Sequence, residues 1–110
     1  MTVHDLEAKL GYTSIQPGYE DTEITSVYTS DLLSDVMAHA EDASILVTIQ
    51  AHKNTIAVCS LSDIRAVVIC NDRPVPDDMI SAAEEEGVGI FRTSDSQFIA
   101  SGKLYDALRL

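Results

Sequence analysis

Four apolar, β-branched runs along the chain each end in a small polar cluster. Val27-Tyr28 leads into Thr29-Ser30-Asp31, and Ile45 to Ile49 leads into Gln50-Ala51-His52. Val67-Val68-Ile69 leads into Cys70-Asn71-Asp72, and Val88 to Phe91 leads into Arg92-Thr93-Ser94-Asp95. Between the runs the apolar spacing changes from strand-like to helical. Leu32, Leu33, Val36, Met37 and Ala40 repeat at helical spacing, with Ser30 or Asp31 as the expected cap. Asn54 or Thr55 is expected to open a helix carrying Ile56, Ala57, Val58, Leu61 and Ile64. Asp77 and Asp78 fall in the first turn of another helix, which Gly87 stops. Ser94 with Gln97 fits the capping-box pattern for a closing helix. Upstream, Thr2 is expected to cap a first helix with Val3, Leu6 and Leu10 on one face and Gly11 at its end. Tyr12 to Ile15 then reads as extended, Pro17-Gly18 as a turn, Tyr19 to Glu23 as an acidic loop, and Ile24 to Tyr28 as a strand.

From Ile45 onward the order is strand, helix, strand, helix, strand, helix. Such alternation predicts right-handed crossovers and an α/β, three-layer-like domain, with a mainly parallel sheet of about four or five strands and flanking helices. Residues 1–110 are expected to form one domain. If the four runs are parallel neighbours, all four polar clusters share the carboxyl-terminal edge of one sheet, where open α/β sheets place their ligands.

Composition narrows the partners. Hydrophobic residues make up 45% of the chain, which suits a folded core, and aromatics only 5%, so that core is aliphatic. The net charge of −11 argues against nucleic acid or an anionic membrane, because neutralising phosphates takes many Lys and Arg. No basic segment precedes an early apolar stretch, and the apolar runs are strand-sized, so a cytoplasmic protein without a signal peptide or a membrane span is expected. Cys59 and Cys70 form no CxxC pair and read as buried thiols.

No glycine-rich phosphate loop is present: the 5 glycines match neither the dinucleotide fingerprint nor the P-loop spacing. Asp31, Asp35 and His39, four apart on a predicted helix, could offer a ligand set to a hard metal, although polar helix faces are commonly just solvated. His52, between a strand end and a helix start, reads as a ligand donor or as a general base partnered by Asp31; the plainer reading is a loop histidine bonded to nearby backbone. Thr93-Ser94-Asp95 lies at a helix start, where free N–H groups hold anions, but capping explains it as well. Asn71-Asp72 suits a turn. Each cluster alone is ordinary, and their shared edge is the stronger signal.

The stretch Val27 to Met37, with Ser30-Asp31-Leu32-Leu33-Ser34-Asp35-Val36-Met37 as its most specific part, resembles short stand-alone proteins of the DRTGG-domain family, relatives of the N-terminal domain of HPr kinase/phosphorylase. Thr48 to Asn54 and the opening Met1 to Gly11 are similar to the same subgroup. The resemblance implies an α/β domain without catalytic activity, regulatory or dimerising in larger proteins that also carry CBS pairs, phosphotransacetylase or pyrophosphatase units. It implies, for stand-alone members, an accessory role beside iron-only hydrogenases and related redox subunits. The kinase activity of the HPr enzyme belongs to a P-loop domain with no counterpart here. The name-giving Asp-Arg falls near His52-Lys53 and the Gly-Gly near Asn71-Asp72, and neither pair is kept. The expected function is therefore a non-catalytic regulatory or accessory domain, homodimeric and without a cofactor. It would bind a small-molecule effector or a protein partner through Ser30, Asp31, His52, Asn71, Thr93 and Ser94. An acid–base enzyme using His52 and Asp31, and a metal-handling protein using Asp31, Asp35 and His39, are the alternatives.

Overall fold

The computed structural model describes residues 1–109. The elements are α1 (Asp5–Ala8), β1 (Thr13–Gln16), β2 (Ser26–Thr29), α2 (Leu33–His39), β3 (Ser44–Thr48), α3 (Lys53–Leu61), β4 (Ile64–Ile69), α4 (Asp77–Glu86), β5 (Gly89–Arg92) and α5 (Gln97–Leu108). They build one five-stranded sheet in the order β1-β5-β4-β3-β2. β2, β3, β4 and β5 run parallel, and β1 pairs antiparallel with β5. The expected mainly parallel α/β architecture is what the chain adopts.

The topology explains the layers. β2, β3, β4 and β5 are laid down in one direction across the sheet, so right-handed crossovers put α2, α3 and α4 on the same face. The core follows. Val36, Ile56, Cys59, Met79 and Ala83 from these helices pack with Leu46, Val67, Ile69 and Ile90 of the strands. The alternate strand residues Ile45, Val47, Ala66, Val68 and Phe91 face the other layer, where Val3 just before α1, Leu6 of α1, and Ala100 and Leu104 of α5 cover them. The central strands β3 and β4 are buried on both faces and so read as continuous apolar runs. α5 crosses back over the sheet until Ser101 Oγ meets Thr29 Oγ1 of β2 at 2.7 Å.

Several helix starts differ from the sequence reading. Thr2 does not cap α1: its backbone forms a bridge with Glu23, and its N–H donates to Asp5 Oδ2. α2 begins at Leu33, with Leu32 rather than Ser30 or Asp31 as its cap residue, and Leu32 makes no side-chain bond. α3 is capped by His52, and α5 by Ser96 rather than Ser94. Gly87 does end α4, at positive φ (68°), whereas α1 ends earlier than expected, with Lys9 as its cap, and Gly11 (φ 70°) turns the chain beyond it.

Candidate functional site at the carboxyl-terminal strand edge

The four polar clusters lie at the carboxyl-terminal ends of β2, β3, β4 and β5, on one edge. The start of β1 joins them, because β1 is antiparallel to β5 and Thr13 pairs with Arg92. The loops leaving the strands are stitched together there. Ser30 N–H donates to Val47 O (3.2 Å), Cys70 N–H to Thr48 O (3.0 Å) and Thr93 N–H to Ile69 O (3.0 Å). The pairing of neighbouring strands therefore continues past their ends and holds the edge loops to the sheet.

Asp31 is the hub of this edge. Its Oδ1 accepts from Thr48 Oγ1 (2.8 Å), the Ile49 N–H (2.9 Å) and Gln97 Nε2 (3.0 Å), and its carbonyl accepts from Gln50 Nε2 (3.1 Å). One residue thus joins the β2–α2 loop, the end of β3 and the first turn of α5. Asp31 does not cap α2, because its carboxylate turns toward β3. Ser30 supplies the local turn instead, its Oγ accepting from Leu32 N–H at 3.1 Å.

A second knot ties β4 to β5. Asn71 and Asp72 are both left-handed (φ 59° and 51°). Their N–H groups donate to Asp95 O (3.0 Å) and Thr93 O (2.9 Å). Asn and Asp tolerate this conformation better than other non-glycine residues. The backbone at Asn71-Asp72 thus takes the left-handed shape that glycine favours. Thr93 Oγ1 accepts from Asp95 N–H at 3.0 Å. Asp95 Oδ2 accepts from Lys103 Nζ (2.8 Å) and the Tyr12 hydroxyl (3.0 Å). The Lys103 hydrogen bond holds the Asp95 carboxyl below the usual range, with help from Tyr12. Burial and the Asp95 bond push the Tyr12 phenol well above its ordinary value.

His52 is exposed, and its Nδ1 accepts from Asn54 N–H at 3.0 Å as the α3 cap. The imidazole is therefore bonded to nearby backbone. No hydrogen bond joins it to Asp31, whose Oδ1 already has three donors, so the acid–base pair is not assembled. The metal alternative fails on geometry too. Asp35 accepts from Tyr28 OH (2.8 Å) and meets His39 Nδ1 (3.1 Å), while Asp31 turns the other way. The Tyr28 bond is the main cause that holds the Asp35 carboxyl low. Among the described residues no cluster of three or more His, Cys, Asp or Glu is arranged to hold a metal ion. Both thiols are buried, and burial pushes Cys59 up to about 12 and Cys70 up to about 11, so neither is a ready nucleophile.

Sequence reasoning missed the roles of Gln97, Lys103 and Tyr12, which complete the two knots. Gln97 had one visible signal, its fit to a capping box, and that signal pointed to the wrong partner. A cavity of about 340 Å³ was also unforeseen; Glu20, Thr22, Asp63, Arg65 and Gly87 line it at the opposite, amino-terminal edge of the sheet. Arg65 is engaged there, donating to Asp63 (Nε to Oδ1, 3.0 Å) and Thr22 (Nη1 to Oγ1, 2.6 Å).

The fold is an α/β domain with a mainly parallel five-stranded sheet. It superposes on the crystal structure of the CBS and DRTGG domains of the regulatory region of Clostridium perfringens pyrophosphatase, complexed with the activator diadenosine tetraphosphate. The TM-score is 0.70 at 10% identity, covering 92% of this chain and 44% of that one. In sequence the chain is 28% identical over 91 residues to HPr kinase/phosphorylase of Streptococcus uberis, a match that takes in 81% of this chain. It spans only 29% of the length of that curated relative. No protein-family model matches the chain. The resemblance to the DRTGG-domain family thus has support from both sequence and fold. No helix among the described residues is long and apolar enough to cross a membrane.

Proposed function

We propose that the chain is a non-catalytic regulatory or accessory module that takes a small-molecule effector at the carboxyl-terminal edge of its sheet and acts as a homodimer. The observation that carries this reading is the stitched edge itself. Loops from β2, β3, β4 and β5 are bonded to one another and to α5, so Ser30, His52, Asn71, Thr93 and Ser94 stand on a preorganised polar platform. A platform of this kind binds without first ordering its loops. The groups that would do chemistry are otherwise engaged: the Asp31 carboxylate by three donors, His52 by its cap, and the thiols by burial. The similar pyrophosphatase region, complexed with a small-molecule activator, supports the effector role. The family resemblance adds iron-only hydrogenase and related redox subunits as the protein context.

The test is a two-dimensional NMR titration with a panel of nucleotides and small metabolites, paired with thermal melts. A true effector moves the amides of Ser30, His52, Asn71, Thr93 and Ser94. It also stabilises the fold by mass action, about 2.7 kcal/mol at a hundredfold excess over its dissociation constant. A panel whose binders all shift only the residues around Arg65 and Asp63 moves the site to the opposite edge and sinks this reading.

A further inference from the structure

The cavity at the amino-terminal edge has no part in the effector reading. β4 is apolar except for Arg65, close to its start. The register of β3 on β4 passes from Ser44–Ile64 to Ile45–Ala66 and leaves Arg65 unmatched. An unmatched residue of this kind has its side chain re-aimed out of the regular alternation. Arg65 accordingly belongs to neither core layer and reaches the cavity, whose other lining residues are Glu20, Thr22, Asp63 and Gly87. Three segments meet there: the loop between β1 and β2, the start of β4, and the end of α4.

The lining is held in place by its own bonds. Arg65 Nε and Nη2 donate to the Asp63 oxygens Oδ1 and Oδ2 (3.0 and 3.3 Å), and Nη1 donates to Thr22 Oγ1 (2.6 Å). The Ala43 N–H donates to Asp63 Oδ2 (3.3 Å) and to the Asp63 carbonyl (3.1 Å). The Arg65 hydrogen bonds hold the Asp63 carboxyl below the usual carboxylate range, so the pair stays charged. Each Nη of a guanidinium carries a pair of N–H donors. Only one of each pair is used here, so one N–H on each Nη is left for a ligand. A carboxylate is the group that matches such a fork.

Glu20 is exposed and enters none of the ion pairs among the described residues. Gly87 follows the last turn of α4, the negative end of that helix. With Asp63 matched by Arg65, Glu20 leaves the lining with one negative charge in excess. A bare anion is therefore unsuited to the cavity. A bare cation would meet Arg65 and leave its spare N–H groups unused. A molecule with both an ammonium and a carboxylate group answers both. The cavity holds about 340 Å³, at the lower end of the roughly 300–1,000 Å³ of small-molecule pockets, a size that suits an amino acid better than a nucleotide. We propose that this cavity is a small-molecule site separate from the carboxyl-terminal edge, and that its ligand is a free α-amino acid. The carboxylate takes the spare Nη donors of Arg65, and the ammonium group pairs with Glu20.

Two-dimensional NMR of the full chain, titrated singly with the common L-amino acids, tests it. At least one of them should shift the amides of Thr22, Asp63, Arg65 and Gly87. Its N-acetyl form, which lacks the ammonium charge, and its methyl ester, which lacks the carboxylate, should each bind about tenfold more weakly or worse. Glu20→Gln, which breaks no ion pair within the protein, should weaken binding about tenfold, and Arg65→Lys should do the same by losing the fork. Asp78→Asn, which removes the same charge at the far end of α4, should leave binding unchanged, and thermal melts confirm that each variant folds. The inference is overturned if no amino acid moves these amides, or if the acetylated or esterified form binds as tightly as the parent. It is overturned equally if Asp78→Asn weakens binding as much as Glu20→Gln. The effector reading is judged on the amides of Ser30, His52, Asn71, Thr93 and Ser94, so either one can fail while the other stands.

Discussion

One carboxylate oxygen, Oδ1 of Asp31, accepts donors from residues 17, 18 and 66 positions away. Truncating it leaves the Ile49 N–H and the Thr48 hydroxyl without their acceptor in a partly buried site. Asp31→Ala should therefore cost about 2–3 kcal/mol in urea denaturation, and Asp31→Asn, which keeps an oxygen acceptor, about 1 kcal/mol. A loss below about 0.5 kcal/mol for the alanine variant, the range of an ordinary surface change, would show that Asp31 is not a structural hub. The residue was legible in the sequence as important, but for the wrong reason. An Asp just before a helical pattern reads as a cap, and nothing local announces donors from Thr48 and Gln97. His52 shows the reverse. Its local reading, a histidine bonded to nearby backbone, is what the structure contains, because its partner Asn54 is two residues away.

At the scale of elements, the central strands and the bodies of α2 to α5 follow from apolar spacing, while the starts of several helices do not. α5 is instructive. Ser94 and Gln97 have capping-box spacing, yet Ser96 Oγ accepts from Ile99 N–H (3.2 Å) and Gln97 reaches Asp31. The delay has a tertiary cause: Thr93 O and Asp95 O accept from Asp72 and Asn71, so this segment is bound to the neighbouring loop before the helix can begin. Ser96→Ala should cost about 1 kcal/mol, and Ser94→Ala should stay within about 0.5 kcal/mol of the parent. Chemical denaturation of the two variants side by side checks the assignment, and the opposite ranking would restore Ser94 as the cap. Short elements were the hardest to read. α1 shrinks to Asp5–Ala8 because Thr2 and Val3 are engaged with the segment before β2.

For the whole molecule, charge and shape bear on assembly. Two chains of charge −11 repel unless they meet on a neutral face. The outward stripe of α5 is such a face: Phe98 and Tyr105 are 83% and 59% exposed, and Ile99 lies beside them at 44%. Gly102 sits between them, and a Cβ there would meet nothing within 4 Å. A helix-interior glycine costs about 1 kcal/mol relative to alanine, and nothing in the monomer's packing calls for it, whereas close approach of a second α5 in the proposed homodimer would. Sedimentation at high micromolar concentration should show a dimer, and Phe98→Glu should return it to monomer without changing the circular dichroism spectrum. A parent chain that sediments only as monomer, or a Phe98→Glu variant that remains dimeric, would remove α5 as the contact. By itself the sequence determined the alternation of strand and helix, the aliphatic core and the alignment of four polar clusters, because strand and helix periodicities are local properties of side-chain order. Only the tertiary structure decided which side chains at that edge are occupied and which are open. Asp31, Asp95 and His52 are engaged. That division depends on partners from distant segments, which meet only when the sheet brings its strand ends together.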